Sequence, residues 1–325
     1  MMDVSIILVN YKSADLCLQC IDSIHSFTRG ITFEVILVDN DSRDQSLEMV
    51  KAHYPEVKYL QTGYNSGFSR ANNVGAKEAT GKYLLILNTD TILVDNVILK
   101  SFNHLEKDTS ISACSVLMLD KTNVPNYVDP NYNVAGNLQY SFIFPKIEVI
   151  KFLTKGSIQN LRKRLGNQEI DFLLGAYIFC RKKDYEAIGG FNEEQFLYGE
   201  DMDLSCKLAQ QGKLKYFSDL KIIHLEGGST PSEEKPLTFF SRSPQMQLAN
   251  LVWVRTWYGP LIFLLIMVNY YLFIPIYFVI RLLKGIVKGE VFNELKAPIQ
   301  FSKQVLRWSS YFFQILFKIP TFYKY

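Results

Sequence analysis

The chain has little of what marks several protein classes. Its five cysteines, Cys17, Cys20, Cys114, Cys180 and Cys206, are odd in number and scattered over 325 residues. That excludes a secreted disulfide scaffold and points to a reducing compartment. Cys17 and Cys20 form a C-x-x-C, yet no second pair or nearby histidine completes a zinc set. On a helix such a pair reads as two small apolar side chains on one face. Charge of one sign is also scarce: 35 basic residues against 32 acidic give a net +3. No concentrated basic face follows from that balance, so no nucleic-acid partner is expected. The N-terminus lacks the basic start and long apolar core of a secretory signal, and the expectation is a chain that begins in the cytosol. Of the four histidines, His25, His53 and His104 lie in helical or loop stretches without ligand spacing and read as ordinary surface or packed residues.

What is present is apolar patterning. With 48% hydrophobic and 21% charged residues, the chain can build a substantial core. Val4 to Val9, Phe33 to Val38, Val57 to Gln61 and Tyr83 to Leu87 are short apolar runs that predict strands. Between them the spacing predicts helices over about 13–27, with Ser13 as N-cap, about 44–53, and about 69–79, the last closed by Gly81. This alternation predicts an α/β domain with a mostly parallel central sheet and flanking helices. Residues from about Leu119 to Asn167 read as an irregular insertion or acceptor-side loop, Ile170 to Arg181 as a returning strand, and Asp201 to Gln210 as a helix. From about Phe239 the composition shifts, so the expected division is a domain over 1–240 and a helical tail over 241–325.

In parallel sheets ligands bind beyond the carboxyl ends of the strands. Asn10-Tyr11, Asp39-Asn40, Asn65 and Asn88-Thr89-Asp90 all fall at such ends. Asp39 suits a base ring N–H or a ribose hydroxyl, while Gly63 and Gly67 allow close backbone approach beside the amides of Asn65 and Asn72. Asp90 offers a hard oxygen for Mg²⁺ or Mn²⁺ between two phosphates, and His224 is positioned to complete that site from far downstream. Glu200, Asp201 and Asp203 open a helix, where acids also serve simply to oppose the dipole. Before them, Gly189-Gly190-Phe191 and Phe196-Leu197-Tyr198-Gly199 read as an aromatic-lined turn, a wall for a second substrate.

Taken in order, Ser5-Ile-Ile-Leu-Val-Asn-Tyr11, Val38-Asp-Asn-Asp-Ser42, Asn65-Ser-Gly-Phe-Ser-Arg-Ala-Asn-Asn73, Leu87-Asn-Thr-Asp90, Gly189-Gly-Phe-Asn-Glu193, Glu200-Asp-Met-Asp-Leu204 and His224 resemble glycosyltransferase family 2, in particular its rhamnosyltransferase-like bacterial branch. The resemblance runs from about Val4 to Ser229. It implies a GT-A fold and an inverting transfer from a nucleotide-diphosphate sugar, without a covalent intermediate. By position, Asp39 resembles the nucleotide-binding acid, Asp90 the metal-binding Asp that closes the DxD motif, Asp201 the general base and His224 the late metal or diphosphate ligand. Asn10, Tyr11, Asn40, Asn65, Gly67, Asn72, Asn88 and Thr89 make up the rest of the donor side, and Glu200 and Tyr198 the acceptor side. One departure stands out: Asn88 replaces the first acid of DxD and cannot add a second negative charge, so it reads as a ligand of ribose or of a metal-bound water. The donor is expected to be dTDP-rhamnose or a UDP-hexose, and the acceptor a glycan or polyprenyl-linked glycan. The alternatives are a membrane-anchored carbohydrate-binding scaffold of the same fold without turnover, and a nucleotidyltransferase. The latter is disfavoured because Asn10-Tyr11-Lys12-Ser13 lacks a glycine-rich loop.

Leu261 to Ile280 is an apolar run of membrane-span length, interrupted only by Asn269 and Pro275. A basic tail follows, with Arg281, Lys284, Lys288, Lys296, Lys303, Arg307, Lys318 and Lys324 against Glu290 and Glu294. A single span would put those cations opposite a cytosolic catalytic domain, against the positive-inside tendency. Two arrangements avoid that conflict, a re-entrant or Pro-kinked hairpin and helices lying in the interface with their cations at anionic headgroups, and the preferred expectation is monotopic attachment to the cytosolic membrane face. A single span is the rival and a buried core helix ranks third. A homo-oligomer is left open.

Overall fold

The computed structural model describes residues 2–125, 134–145, 147–166, 169–225 and 243–325. The expected boundary at 240 lies outside them. The chain forms two compact units, one of Met1–Asn133 with Leu165–Glu234, the other of Val134–Arg164 with Lys235–Tyr325. Part of the insertion thus groups with the C-terminal segment.

The first unit opens with β1 (Val4–Asn10), α1 (Ala14–Phe27), β2 (Phe33–Asp39), α2 (Ser46–His53), β3 (Lys58–Gln61), α3 (Gly67–Glu78) and β4 (Tyr83–Asn88). Every residue of β1 except Val9 is buried, as befits a parallel strand covered on both faces. Strand β1 pairs with β2 on one side and with β4 on the other, both in parallel, and β2 carries β3. The chain thus builds outward from β1 in one direction and then crosses back, which makes the β1/β4 exit the place where strand order reverses.

Strand β5 (Thr91–Leu93), α4 (Val97–Lys107) and β6 (Ile111–Leu119) follow. Beyond α5 (Ile147–Leu165) come β7 (Tyr177–Arg181), α6 (Lys182–Ala187), α7 (Glu200–Leu208) and β8 (Lys213–His224). The sheet order is β3-β2-β1-β4-β7-β6-β8-β5. Strand β7 inserts antiparallel to both β4 and β6, while β6 and β8 are parallel. This reversal sets the entry of β7 beside the exit of β4. The strand expected from Ile170 begins only at Tyr177. Before it, the Leu173 N–H is taken by the Ser205 hydroxyl of α7 (2.9 Å) instead of a neighbouring strand.

The C-x-x-C lies on the buried face of α1 with Ile21 and Ile24. Burial pushes the Cys20 thiol up to about 12 and raises Cys17 as well, so both sulfurs are packing groups.

The second unit holds a 3₁₀ turn (Ala135–Ser141), α5, α8 (Pro244–Tyr258), α9 (Pro260–Lys288), α10 (Val291–Ser309) and α11 (Phe312–Phe317). Helix α5 occupies 19 residues read from sequence as irregular. Ile150, Thr154, Leu161 and Leu165 give it a buried stripe, but exposed Phe152 and Leu153 blur that period. Its unit's core is aromatic-rich, with Trp253, Phe263, Tyr270, Phe301 and Trp308 buried. The apolar run read over 261–280 extends to the 29 residues of α9, with Pro275 inside it and Gly289 closing it in a left-handed turn.

Candidate active site

Two buried asparagines organise the strand exits. Asn10, fully buried at the end of β1, donates through Nδ2 to Asp39 Oδ1 (3.0 Å), Ser42 Oγ (2.9 Å) and Ser46 Oγ (2.8 Å). Its Oδ1 accepts from the Ser13 hydroxyl (2.9 Å) and the Cys17 thiol (3.2 Å). Ser13 therefore turns back to Asn10 and makes no side-chain cap on α1. Asp39, also buried, accepts from the Ser42 N–H (3.2 Å). Both ends of the Asn10 amide, expected from sequence on the donor side, are thus engaged within the protein. Beside it, Tyr11 is exposed, with the Lys12 ammonium 5.3 Å from its ring centre.

Asn40 does the same for the next turn. Its Nδ2 donates to Asn65 Oδ1 (3.1 Å) and its Oδ1 accepts the Ser66 N–H (2.8 Å) and the Thr62 hydroxyl (3.2 Å). Gly67, at φ +80°, has no room for a side chain, because a Cβ there would sit 2.3 Å from the Phe196 carbonyl oxygen. The Phe68 N–H donates to that same oxygen (3.0 Å). The close approach that sequence reading assigned to a nucleotide is thus filled at Gly67 by the protein's own backbone. At Gly63, with φ +76°, a Cβ would meet nothing within 4 Å. Asn72 donates to the Phe68 carbonyl (3.0 Å), and its buried Oδ1 has no partner among the described residues.

Asn73, which sequence reasoning passed over, fastens a distant segment. Its Nδ2 donates to the Phe191 carbonyl (3.0 Å) and to Glu193 Oε1 (2.9 Å), and its Oδ1 accepts the Tyr185 hydroxyl (2.6 Å) and the Phe191 N–H (3.0 Å). A Cβ at Gly190 would stand 2.6 Å from that Oδ1. The Gly189–Glu193 motif is therefore a clasp, and Phe191 is buried between Phe68 and Tyr185. Its ring gives no wall to a second substrate. Phe196, Leu197 and Tyr198 are the half-buried residues left in that role. The available signal was the Asn72-Asn73 pair itself, since a helix has little use for two adjacent buried amides.

The acidic residues gather on the same sheet edge. The Asn88 N–H donates to the Ala176 carbonyl (3.2 Å) at the entry of β7, and the Thr89 hydroxyl lies 3.2 Å from that of Ser13. Pairing of β5 with β8 sets Thr91 opposite His224. This brings His224 Nε2 to 3.2 Å from Asp90 Oδ1, and the Leu225 N–H to the Asp90 carbonyl (2.8 Å).

Helix α7 is launched by two consecutive left-handed residues, Tyr198 at φ +71° and Gly199 at φ +76°. For a tyrosine that backbone costs about 1–2 kcal/mol, and Glu200 and Asp201 follow directly in the first turn of the helix. Asp201 accepts the Met202 N–H (2.9 Å), and a Cβ built on Gly175 would lie 3.9 Å from the Asp201 Cβ. Gly175 precedes Ala176, whose carbonyl holds Asn88, so Asp201 and the Asn88–Asp90 turn share one corner of the sheet. Burial raises the proton affinity of both Glu200 and Asp201, and for Glu200 the charge of Asp201 adds to it. Glu200 is almost completely buried, and its Oε2 has no hydrogen-bond partner among the described residues. Asp203 pairs instead with Lys207 (2.8 Å), one turn along α7.

Asp90 and His224 supply a carboxylate oxygen and an imidazole nitrogen facing each other. That donor pair fits Mg²⁺ or Mn²⁺, with the other coordination positions left to non-protein oxygens. Among the described residues, no group of three or more His, Cys, Asp or Glu side chains is gathered to hold a metal by itself.

The sequence matches the family model described as glycosyl transferase family 2 over residues 5–189. It is similar to a low-salt glycan biosynthesis hexosyltransferase of Haloferax volcanii, 26% identical over 64% of this chain and 62% of that protein. It is also similar to a rhamnosyltransferase of Escherichia coli, 24% identical over 68% of this chain and 83% of the relative. An N-acetylglucosaminyl-diphospho-decaprenol L-rhamnosyltransferase of Mycobacterium tuberculosis is 25% identical over 60% of this chain and 67% of the relative. Among solved structures, residues 1–349 of Staphylococcus aureus TarS in complex with UDP-GlcNAc align with a TM-score of 0.54 at 18% identity, covering 83% of this chain and 66% of that one. GalNAc-T7 with UDP, GalNAc and Mn²⁺ aligns with a TM-score of 0.53 at 17% identity, over 78% of this chain and 48% of the other. These likenesses establish the GT-A fold.

Proposed function

The chain belongs to glycosyl transferase family 2, and from that premise we propose that it moves a sugar from a nucleotide-diphosphate donor to an acceptor hydroxyl with inversion at the anomeric carbon. The observation that carries the proposal is the shared corner of the sheet. Asp201 packs against Gly175, the next residue holds Asn88, and Asp90 two residues on faces His224.

Asp39, aimed by Asn10, accepts from the base or ribose. Asn65, Asn72, Asn88 and Thr89 supply the remaining polar groups around the donor. Asp201 takes the proton of the acceptor hydroxyl as its oxygen attacks the anomeric carbon and the bond to the diphosphate breaks. A carboxylate whose proton affinity is raised by burial suits that task. Glu200 retains a proton beside it and keeps the pair from carrying two charges. Asp90 and His224 would hold Mg²⁺ or Mn²⁺, whose charge offsets that of the departing nucleoside diphosphate. With the leaving group so balanced, a single catalytic carboxylate is sufficient.

Relatives named as rhamnosyltransferases support rhamnose as the sugar of the expected dTDP-rhamnose donor, and a UDP-GlcNAc complex in a structural neighbour supports a UDP-hexose. The decaprenol-linked substrate in one relative's name supports a polyprenyl-linked acceptor. The long apolar helix α9 supports work at a membrane, which the sequence reading sets on its cytosolic face.

Purified protein, screened by product mass against nucleotide sugars with Mn²⁺ or Mg²⁺, tests the reading. Transfer to a lipid-linked or glycan acceptor supports it. Absence of both transfer and donor hydrolysis with every nucleotide sugar would favour a binding scaffold. His224→Ala should need far more Mn²⁺ for half-maximal rate than the wild type, and a chelator should remove activity. Unchanged activity in chelator would remove the metal from the proposal while leaving the base.

A further inference from the structure

Ser13 holds the N-cap position of α1, and its side chain makes no cap bond there. A serine at that position ordinarily gives its oxygen to an N–H of the first turn. Here the hydroxyl serves other partners, and a residue that departs from its local rule points to a role beyond its own helix.

One fixed amide gives the direction of every hydrogen bond around it. Asn10 Nδ2 lies 3.0 Å from Asp39 Oδ1, and an ionised carboxylate offers acceptors alone. The nitrogen end of the amide therefore faces Asp39, and the oxygen end is left for α1. Asn10 Oδ1 accepts the Ser13 hydroxyl (2.9 Å), which spends the single hydrogen a hydroxyl carries. The Thr89 hydroxyl, 3.2 Å from Ser13 Oγ, must then donate to it. Thr89, Ser13, Asn10 and Asp39 thus form one directed chain, each handing a hydrogen to the next.

That chain runs where the sheet gives no hold. The β1–β2 ladder ends at Asn10 and Asp39, and the β1–β4 ladder at Val9 and Asn88. Thr89 and Asp90 lie past the last rung. Neighbouring strands stand about 4.8 Å apart, so the exits of β2 and β4, on either side of β1, are about 10 Å apart. This separation is on the scale of a nucleoside diphosphate. The Cys20 thiol and the Thr91 hydroxyl also reach the Asn88 carbonyl (3.7 and 2.6 Å), but they tie that turn to α1 and to itself. Among the described residues, the hydrogen-bonded path from the turn to Asp39 passes through Ser13. Asn10, Asp39 and Thr89 are buried, where water competes little for such bonds.

We propose that Ser13 is a positioning residue that sets the spacing between the Asp39 carboxylate and the Asn88–Asp90 turn, so that both ends of a nucleoside diphosphate are met at once. The inference rests on the nucleotide-sugar reading above and adds to it how the two halves of the donor site are coupled. Two contacts made by one ligand reinforce each other when their spacing is held beforehand, and lose that gain when it is not. Calorimetry of the full chain with UMP and UDP, and with dTMP and dTDP, in Mn²⁺ tests this without a sugar or an acceptor. Wild type should bind the diphosphate of at least one pair more tightly than its monophosphate. In Ser13→Ala that advantage should fall about tenfold, while monophosphate binding stays within about twofold. Ser13→Thr keeps the hydroxyl and should restore most of the advantage. In a Thr89→Val background, Ser13→Ala should add less than about twofold, because the chain is already cut. A merely structural serine would instead lower the urea midpoint and leave the ratio of diphosphate to monophosphate affinity unchanged. That unchanged ratio, no rescue by Ser13→Thr, or full additivity with Thr89→Val would each overturn this inference while leaving the transferase reading intact. Binding of neither nucleotide pair by the wild type would overturn both. Should Ser13→Ala fail to fold by circular dichroism, Ser13→Gly removes the same hydroxyl at a position where glycine is well tolerated, and its ratio decides the question.

Discussion

A primary amide carries two N–H groups and one oxygen, and three asparagines in this chain spend nearly all of that capacity on holding loops. Asn10 aims Asp39, Asn40 shapes the 62–67 turn, and Asn73 fastens 191–193. Leaving such buried partners unsatisfied costs about 1–3 kcal/mol each. Asn73→Ala should therefore lose more than about 2 kcal/mol in urea denaturation, with a loss of activity out of proportion to its distance from the chemistry. The glycines allow a sharper comparison. Gly63→Ala meets only the backbone penalty of its positive φ, about 1 kcal/mol. Gly67→Ala adds a collision with the Phe196 carbonyl, so its urea midpoint should fall clearly further. Equal midpoints would show that the 67–196 approach is not tight.

Glu200 makes a prediction of its own. Its folded-state proton affinity is raised, so the folded chain keeps a proton that the unfolded chain gives up above about pH 4.3. The stability tied to that carboxyl is whole below about pH 4.3 and declines as pH rises toward the folded value. Glu200→Gln removes the decline, so its melting temperature should exceed that of the wild type at neutral pH and converge with it in acid. Asp39, Asp90 and His224 could be proposed from sequence because each lies at or beside a strand end, and Asp201 because it opens a helix after a glycine-bearing turn. Asn73 could not, because its partners lie more than a hundred residues away and nothing local announces them.

Elements turn local chemistry into position. Helix α7 brings its acids to the site because Tyr198 and Gly199 adopt left-handed backbone, and β7 brings Gly175 there because it runs against β4. The parallel half of the sheet could be read from apolar runs of strand length, whereas the reversed β7 could not. Sequence period tells face from face but carries no sign for strand direction. Helix α5 was missed because exposed aromatic and aliphatic side chains fill positions that a clean amphipathic pattern would leave polar. At the α9–α10 turn, Glu294 gathers three cations. Glu294→Ala leaves Arg281 partly buried without its carboxylate and should cost about 1–3 kcal/mol after allowance for the exposed lysines. Denaturant titration of the full chain, followed by tryptophan fluorescence, would measure it. No change in midpoint would make the cluster a solvated accident.

At the scale of the whole molecule, two compact units divide the labour proposed here. The first carries the transferase corner. The second carries the long apolar helix α9 and, packed along it, the charged helix α10. The membrane question was only half legible beforehand: composition gave an apolar run of spanning length, but the charged helix that packs along it appears only in the fold.

The most direct test of the account pairs donor binding with transfer in Asp201→Asn. With Asp201 as the base, the variant should bind the nucleotide sugar by calorimetry within about twofold of wild type while its single-turnover transfer rate drops about 10²–10⁴-fold. The wild-type rate should fall in acid with a midpoint above the ordinary aspartate value of about 3.9, in the direction that burial of Asp201 sets. Transfer by Asp201→Asn at near wild-type rate would contradict the account.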